Sequence, residues 1–154
     1  MKGSWICAGA ALVLLAGCAG RPENRRVDLS VTMTGLQEVP GPGDPDGTGT
    51  AEVRVTAGEG QLCWDVYARQ IDAATAAHIH RGAAGSAGPP VVTLTTPDAA
   101  GRSQGCAAVD PALARELVTQ AYNFYVNVHT APHPAGAIRG QLRGGVTPRA
   151  RPDR

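Results

Sequence analysis

Aromatic side chains are scarce in this chain: one Phe, two Trp and three Tyr among 154 residues. A core built from it must rest on Val, Leu, Ile and Ala, and such a core is thin. An excess of one charge is also missing. Lysine occurs once, at Lys2, and thirteen arginines face thirteen carboxylates. No electrostatic footprint for nucleic acid follows from that balance. Serine is rare: beyond the N-terminal segment only Ser30, Ser86 and Ser103 remain. None sits in a G-x-S-x-G elbow, which removes the commonest hydrolase signature. The glycine-rich stretch Gly82–Gly88 lacks a phosphate-cradling spacing and reads as a wide turn. Trp5–Ala16 is apolar but too short to span a membrane as a stable helix.

What is present begins with a positive start at Lys2, that apolar run, and small residues leading to Cys18. This is the layout of a secretory signal. Leu15-Ala16-Gly17-Cys18 also resembles the lipobox of bacterial lipoproteins, in which the cysteine is acylated and becomes the mature N-terminus. The resemblance implies a signal peptide over 1–17, a lipidated tether over 18–26, and an extracytoplasmic place on the cell envelope. The membrane is then a partner through lipid on Cys18, each buried CH₂ contributing about 0.8 kcal/mol. Ala19 lacks the carboxylate associated with inner-membrane retention, which implies the outer membrane in a diderm cell. An ordinary signal peptide cut nearby, or a short uncleaved anchor, are the alternatives. Arg21, Arg25 and Arg26 would add about 1 kcal/mol each near anionic lipid, or are simply a solvated linker.

The cysteine count agrees with export. Cys7 leaves with the signal, Cys18 takes lipid, and Cys63 and Cys106 remain as a pair. Outside the cytosol these two can bridge. Closing their loop would remove chain entropy worth roughly 4 kcal/mol. Two free thiols or a pair of metal ligands is the alternative, and a bridge would leave no thiol nucleophile.

Val27, Leu29, Val31 and Met33 alternate with polar residues, the period of a half-buried strand. Thr48 to Thr56 alternates likewise after a Pro/Gly/Asp-rich loop over 35–47. Gly58-Glu59-Gly60 then turns the chain into Leu62, Trp64, Val66 and Ala68, a hairpin pattern. Further strands are expected over 75–81, 91–95, 101–109 and 137–142, and another from Tyr122 through His129. Asp110-Pro111 is an N-cap followed by proline at the first helical position, and Leu113 and Leu117 share one face of a helix pattern that ends at Tyr122. The folded part is expected over 27–143, with a disordered tail over 144–154. Short strands at regular spacing predict an all-β fold, an antiparallel Greek-key-like β-sandwich with one short helix.

All four histidines fall in the second half: His78, His80, His129 and His133. On a strand, His78 and His80 point to one face while Ile79 points to the core. His129 shares the polar face of its strand with Tyr125 and Asn127. If these strands lie close together, three imidazoles converge, an arrangement suited to Zn²⁺ with an open fourth position or to Cu²⁺. His133 or Glu38 could supply a fourth ligand. The alternative is a cross-strand hydrogen-bond network, with Asp65, Glu52 and Arg139 as partners.

Four segments together resemble the CHRD domain, found in chordin and in many microbial exported proteins. They are Leu36–Pro40, Gly47–Val53 (GTGTAEV), Ala76–Pro89 (AAHIHRGAAGSAGP) and Tyr125–Leu142 (YVNVHTAPHPAGAIRGQL). The resemblance covers about 29–143 and implies an extracytoplasmic β-sandwich, without handing over a reaction. Ala137 departs from the glutamate often found before Ile-Arg-Gly. The His-x-His strand before a glycine-rich loop is also similar to copper/zinc superoxide dismutase, but the full ligand set of that enzyme, with a bridging histidine and an aspartate, has no match. The leading expectation is a lipid-anchored, non-catalytic module that binds an unidentified protein or small ligand at the envelope. The alternative is a copper- or zinc-binding protein using His78, His80 and His129, with redox activity as an option, and a third is a structural envelope component without a ligand.

Overall fold

The structure, a computed structural model, describes residues 25–145. The expected signal peptide, Cys18, most of the expected tether and the expected tail from 146 onward lie outside the described residues.

Alternation of small aliphatic and polar side chains dictates the architecture. Nine strands form among the described residues: β1 (Arg26–Thr34), β2 (Thr48–Thr56), β3 (Gln61–Arg69), β4 (Ala74–Arg81), β5 (Pro90–Leu94), β6 (Arg102–Ala108), β7 (Phe124–Thr130), β8 (Ile138–Gln141) and β9 (Arg143–Gly145). They make one antiparallel sheet in the order β5-β4-β7-β8-β1-β2-β3-β6, with β9 beside β1. The all-β class holds. In place of two separate layers, the sheet curls into a nearly closed barrel. Its edge strands approach where the Ser103 hydroxyl donates to the Thr95 carbonyl and accepts from the Trp64 indole N–H at 3.1 Å.

The inner face is aliphatic, as the shortage of aromatics requires. Leu29, Val31 and Met33 of β1 meet Ala51, Val53 and Val55 of β2, Leu62, Trp64 and Val66 of β3, and Ile79 of β4. Gly105 sits against the Trp64 indole: a Cβ there would come within 2.5 Å of the ring. Cys63 and Cys106 are register partners across β3 and β6 and are joined by a disulfide. Gly60, at φ +60°, closes the β2–β3 turn as the spacing predicts.

The helix α1 (Pro111–Thr119) starts as expected, with the Asp110 carboxylate accepting from the N–H groups of Ala112 and Leu113. Such a cap contributes about 1 kcal/mol. It ends earlier than the sequence pattern suggests. Tyr122 lies in a 3-10 turn over Ala121–Asn123, 64% exposed, and the strand begins at Phe124. The periodicity misled because Tyr122 is aromatic without being buried. At the other end, Gly144 and Gly145 continue in β9 against Leu29 and Asp28, so the sheet reaches into the segment expected as tail. Among the described residues no helix is long and apolar enough to cross a membrane.

Candidate metal centre

The site follows from one pairing. β4 lies antiparallel to β7, with His78 opposite Asn127, His80 opposite Tyr125, and Ala76 opposite His129. Because side chains alternate, all of these face away from the core, while Ala77, Ile79, Val126 and Val128 fill it. His129 is therefore the diagonal neighbour of His78. β8 extends the same face by placing Arg139 opposite Asn127 and Gln141 opposite Tyr125.

The three expected imidazoles come together. One nitrogen from each of His78, His80 and His129 lies within 4.8 Å of the others. His78 Nδ1 and His129 Nε2 are hydrogen-bonded at 3.1 Å, a bond that an ion would displace. The ring centroids of His80 stand 5.5 and 5.9 Å from those of His78 and His129. In a tetrahedral site, bonds of about 2.0–2.1 Å place the nitrogens roughly 3.3 Å apart, so the widest pair would have to close by about 1.5 Å on ion binding.

Backbone carbonyls orient two of the rings. His80 Nδ1 lies 2.9 Å from the Gly88 carbonyl and His129 Nδ1 lies 3.1 Å from that of Pro134. A carbonyl can only accept, so both Nδ1 atoms carry the proton and both Nε2 atoms present a lone pair. His80 Nε2 is buried without a partner. Metal-binding histidines are held in this way, by a carbonyl on the far nitrogen. Burial, with repulsion from neighbouring rings at His78 and His129 and from the Arg139 charge at His80, holds these imidazoles below the ordinary histidine range.

The other expected ligands and partners lie elsewhere. His133 is outside the cluster, its backbone closing the turn after β7 through Thr130 and Gly136. Glu38 is also outside it: both carboxylate oxygens accept from Asn127 Nδ2, at 3.1 and 2.9 Å. Asp65 pairs with Gln104 and Glu52 with Arg54, on the distant β2–β3 surface. Only Arg139 of the suggested network shares the histidine face. Sequence reasoning missed the Gly88 and Pro134 carbonyls, since a backbone acceptor leaves no mark on residue identity.

Glu38 is 5% exposed. Burial pushes its carboxyl up to about 7, against the pull of Arg139 and the Asn127 hydrogen bond. A carboxyl raised in the folded state contributes stability that is present below its ordinary value and lost as pH rises through the folded one. The contribution of Glu38 to stability is therefore expected to fall between about pH 4.5 and 7, by up to roughly 3 kcal/mol, against the opposite trend of the three histidines. Glu38→Gln should flatten that slope, as urea denaturation across the pH series would reveal. An unchanged slope would rule out Glu38 as its source.

Residues 29–142 match the CHRD domain, and the chain belongs to this family. No curated protein matches the chain.

Proposed function

We propose that this protein is an exported, lipid-anchored CHRD-domain module that binds a copper or zinc ion through His78, His80 and His129. The observation that carries the metal reading is the convergence of three imidazoles, two of them held through Nδ1 by backbone carbonyls. Imidazole suits both ions, and three nitrogens leave a coordination position open. Such an ion would act as a Lewis acid or, as copper, exchange an electron; the chain supplies three imidazole donors on a half-buried polar face. Export is supported by the lipobox-like Cys18 and by the Cys63–Cys106 bridge.

Calorimetric titration of the purified protein with Cu²⁺ and Zn²⁺ is expected to give one ion per chain, lost in His80→Ala. Cys18→Ser is expected to move the protein from the detergent phase to the aqueous phase on phase partition, and a variant that stays in detergent would refute the anchor. A polar groove of about 640 Å³ over β1 and β2, lined by Ser30, Thr32, Gln37, Thr50, Glu52 and Arg143, favours a second reading, metal-free binding of a polar ligand.

A further inference from the structure

Arg139 is the one buried cation among the described residues, 2% exposed. Its Nη2 donates to the carbonyls of Ala83 and Ser86 at 3.0 and 2.9 Å, both in the loop over 82–89. That loop includes Gly88, whose carbonyl accepts from His80 Nδ1 and whose N–H donates to the Tyr125 hydroxyl at 3.1 Å. The guanidinium also lies 3.5 Å from the centroid of the Tyr125 ring. That ring in turn stacks on His80 at 4.9 Å, 11° from parallel. Two routes therefore run from Arg139 to one imidazole, through the loop carbonyl and through the aromatic ring.

We propose that Arg139 is a positioning residue for the metal centre: it fixes the tautomer and ring plane of His80 so that Nε2 faces the ion. The inference rests on the metal reading above. Arg139 is not among the ligating groups and acts through Gly88 and Tyr125. Packing alone does not account for an arginine at this position. Nη1 is buried without a partner, a costly state for a charged group. A methionine of similar reach would fill the space without that cost. What methionine lacks is a donor for two carbonyls and a planar cation for the Tyr125 face.

The test uses the purified protein and begins without metal. In ¹⁵N-detected NMR, wild-type His80 should show a single tautomer protonated on Nδ1, and Arg139→Met a mixture of the two. With Cu²⁺ added, Arg139→Met should bind roughly 10- to 100-fold more weakly, the range for lost outer contacts of metal-binding histidines. Its copper electron paramagnetic resonance spectrum should change. Arg139→Lys, which keeps donors for the loop carbonyls, should recover most of the affinity. A folded Arg139→Met protein with the wild-type tautomer, affinity and spectrum overturns the proposal. Should that variant fail to fold, Arg139→Gln takes its place, removing the cation from the Tyr125 face and one arm of the hold on the loop carbonyls. A loss of roughly threefold to tenfold supports the proposal, while unchanged tautomer and affinity overturn it. Wild-type protein that binds no metal overturns the metal reading and this inference with it. Wild-type binding with no response to these substitutions overturns this inference alone.

Discussion

Cu²⁺ or Zn²⁺ at a hundred times its dissociation constant is expected to stabilise the folded protein by about 2.7 kcal/mol, and His78→Ala, His80→Ala and His129→Ala combined to abolish that gain. The size follows from mass action, because the ion binds a site that exists only when β4 and β7 are paired. For a domain of this size the melting midpoint should rise on the order of 10 °C. The direction with pH also follows. The three imidazoles titrate below the ordinary value of 6.5 in the folded protein. The unfolded chain therefore takes up protons first as pH falls. The stability these groups contribute is present above 6.5 and is lost as pH drops through their folded values. Protons then compete with the ion as well, so metal protection should fade in the same direction. Scanning calorimetry with and without metal, at neutral and mildly acidic pH, checks both statements. A midpoint shift that survives the triple substitution would place the ion elsewhere.

Replacing Cys63 and Cys106 together by Ala is expected to cost roughly 4 kcal/mol, the entropy of a loop closed across a sequence separation of 43. Few single features of a small domain weigh as much against a total of about 5–15 kcal/mol. The position adds to the effect. β6 is an edge strand, paired with β3 alone in the ladder and otherwise held by Ser103 between Thr95 and Trp64. Without the bridge, β6 and the barrel seam beside it should open first. The midpoint should fall on the order of 15 °C, and hydrogen exchange should quicken in β6 before β1 and β2. A loss below about 1 kcal/mol would mean that the strand pairing already holds the loop closed in the unfolded ensemble.

Most strands were legible because each buries one face. Val53 and Val55 against Glu52 and Arg54 announce a half-buried strand, and β2 runs over Thr48–Thr56 as the alternation indicates. Asp110-Pro111 marked the helix start through local backbone chemistry alone. The helix end was less legible, since the exposed Tyr122 carries no sign of its exposure. β7 is a different case. Nearly every residue in it is buried, polar ones included, because the loops bearing Glu38 and Gly88 cover its outer face. Alternation could identify Asn127 and Tyr125 as polar-face residues but not as enclosed ones.

The amino-acid sequence by itself determined the strands, the family, the pair of cysteines available to bridge, and that His78 and His80 share a face. These are local matters of side-chain period and composition. The tertiary structure decided that His129 joins them, that Glu38 and His133 do not, and that Arg139 lies behind His80. Those outcomes depend on which strands pair and in what register. Pairing between β4 and β7 brings together residues 51 apart in sequence, set by the closure of the whole barrel and not by any one segment.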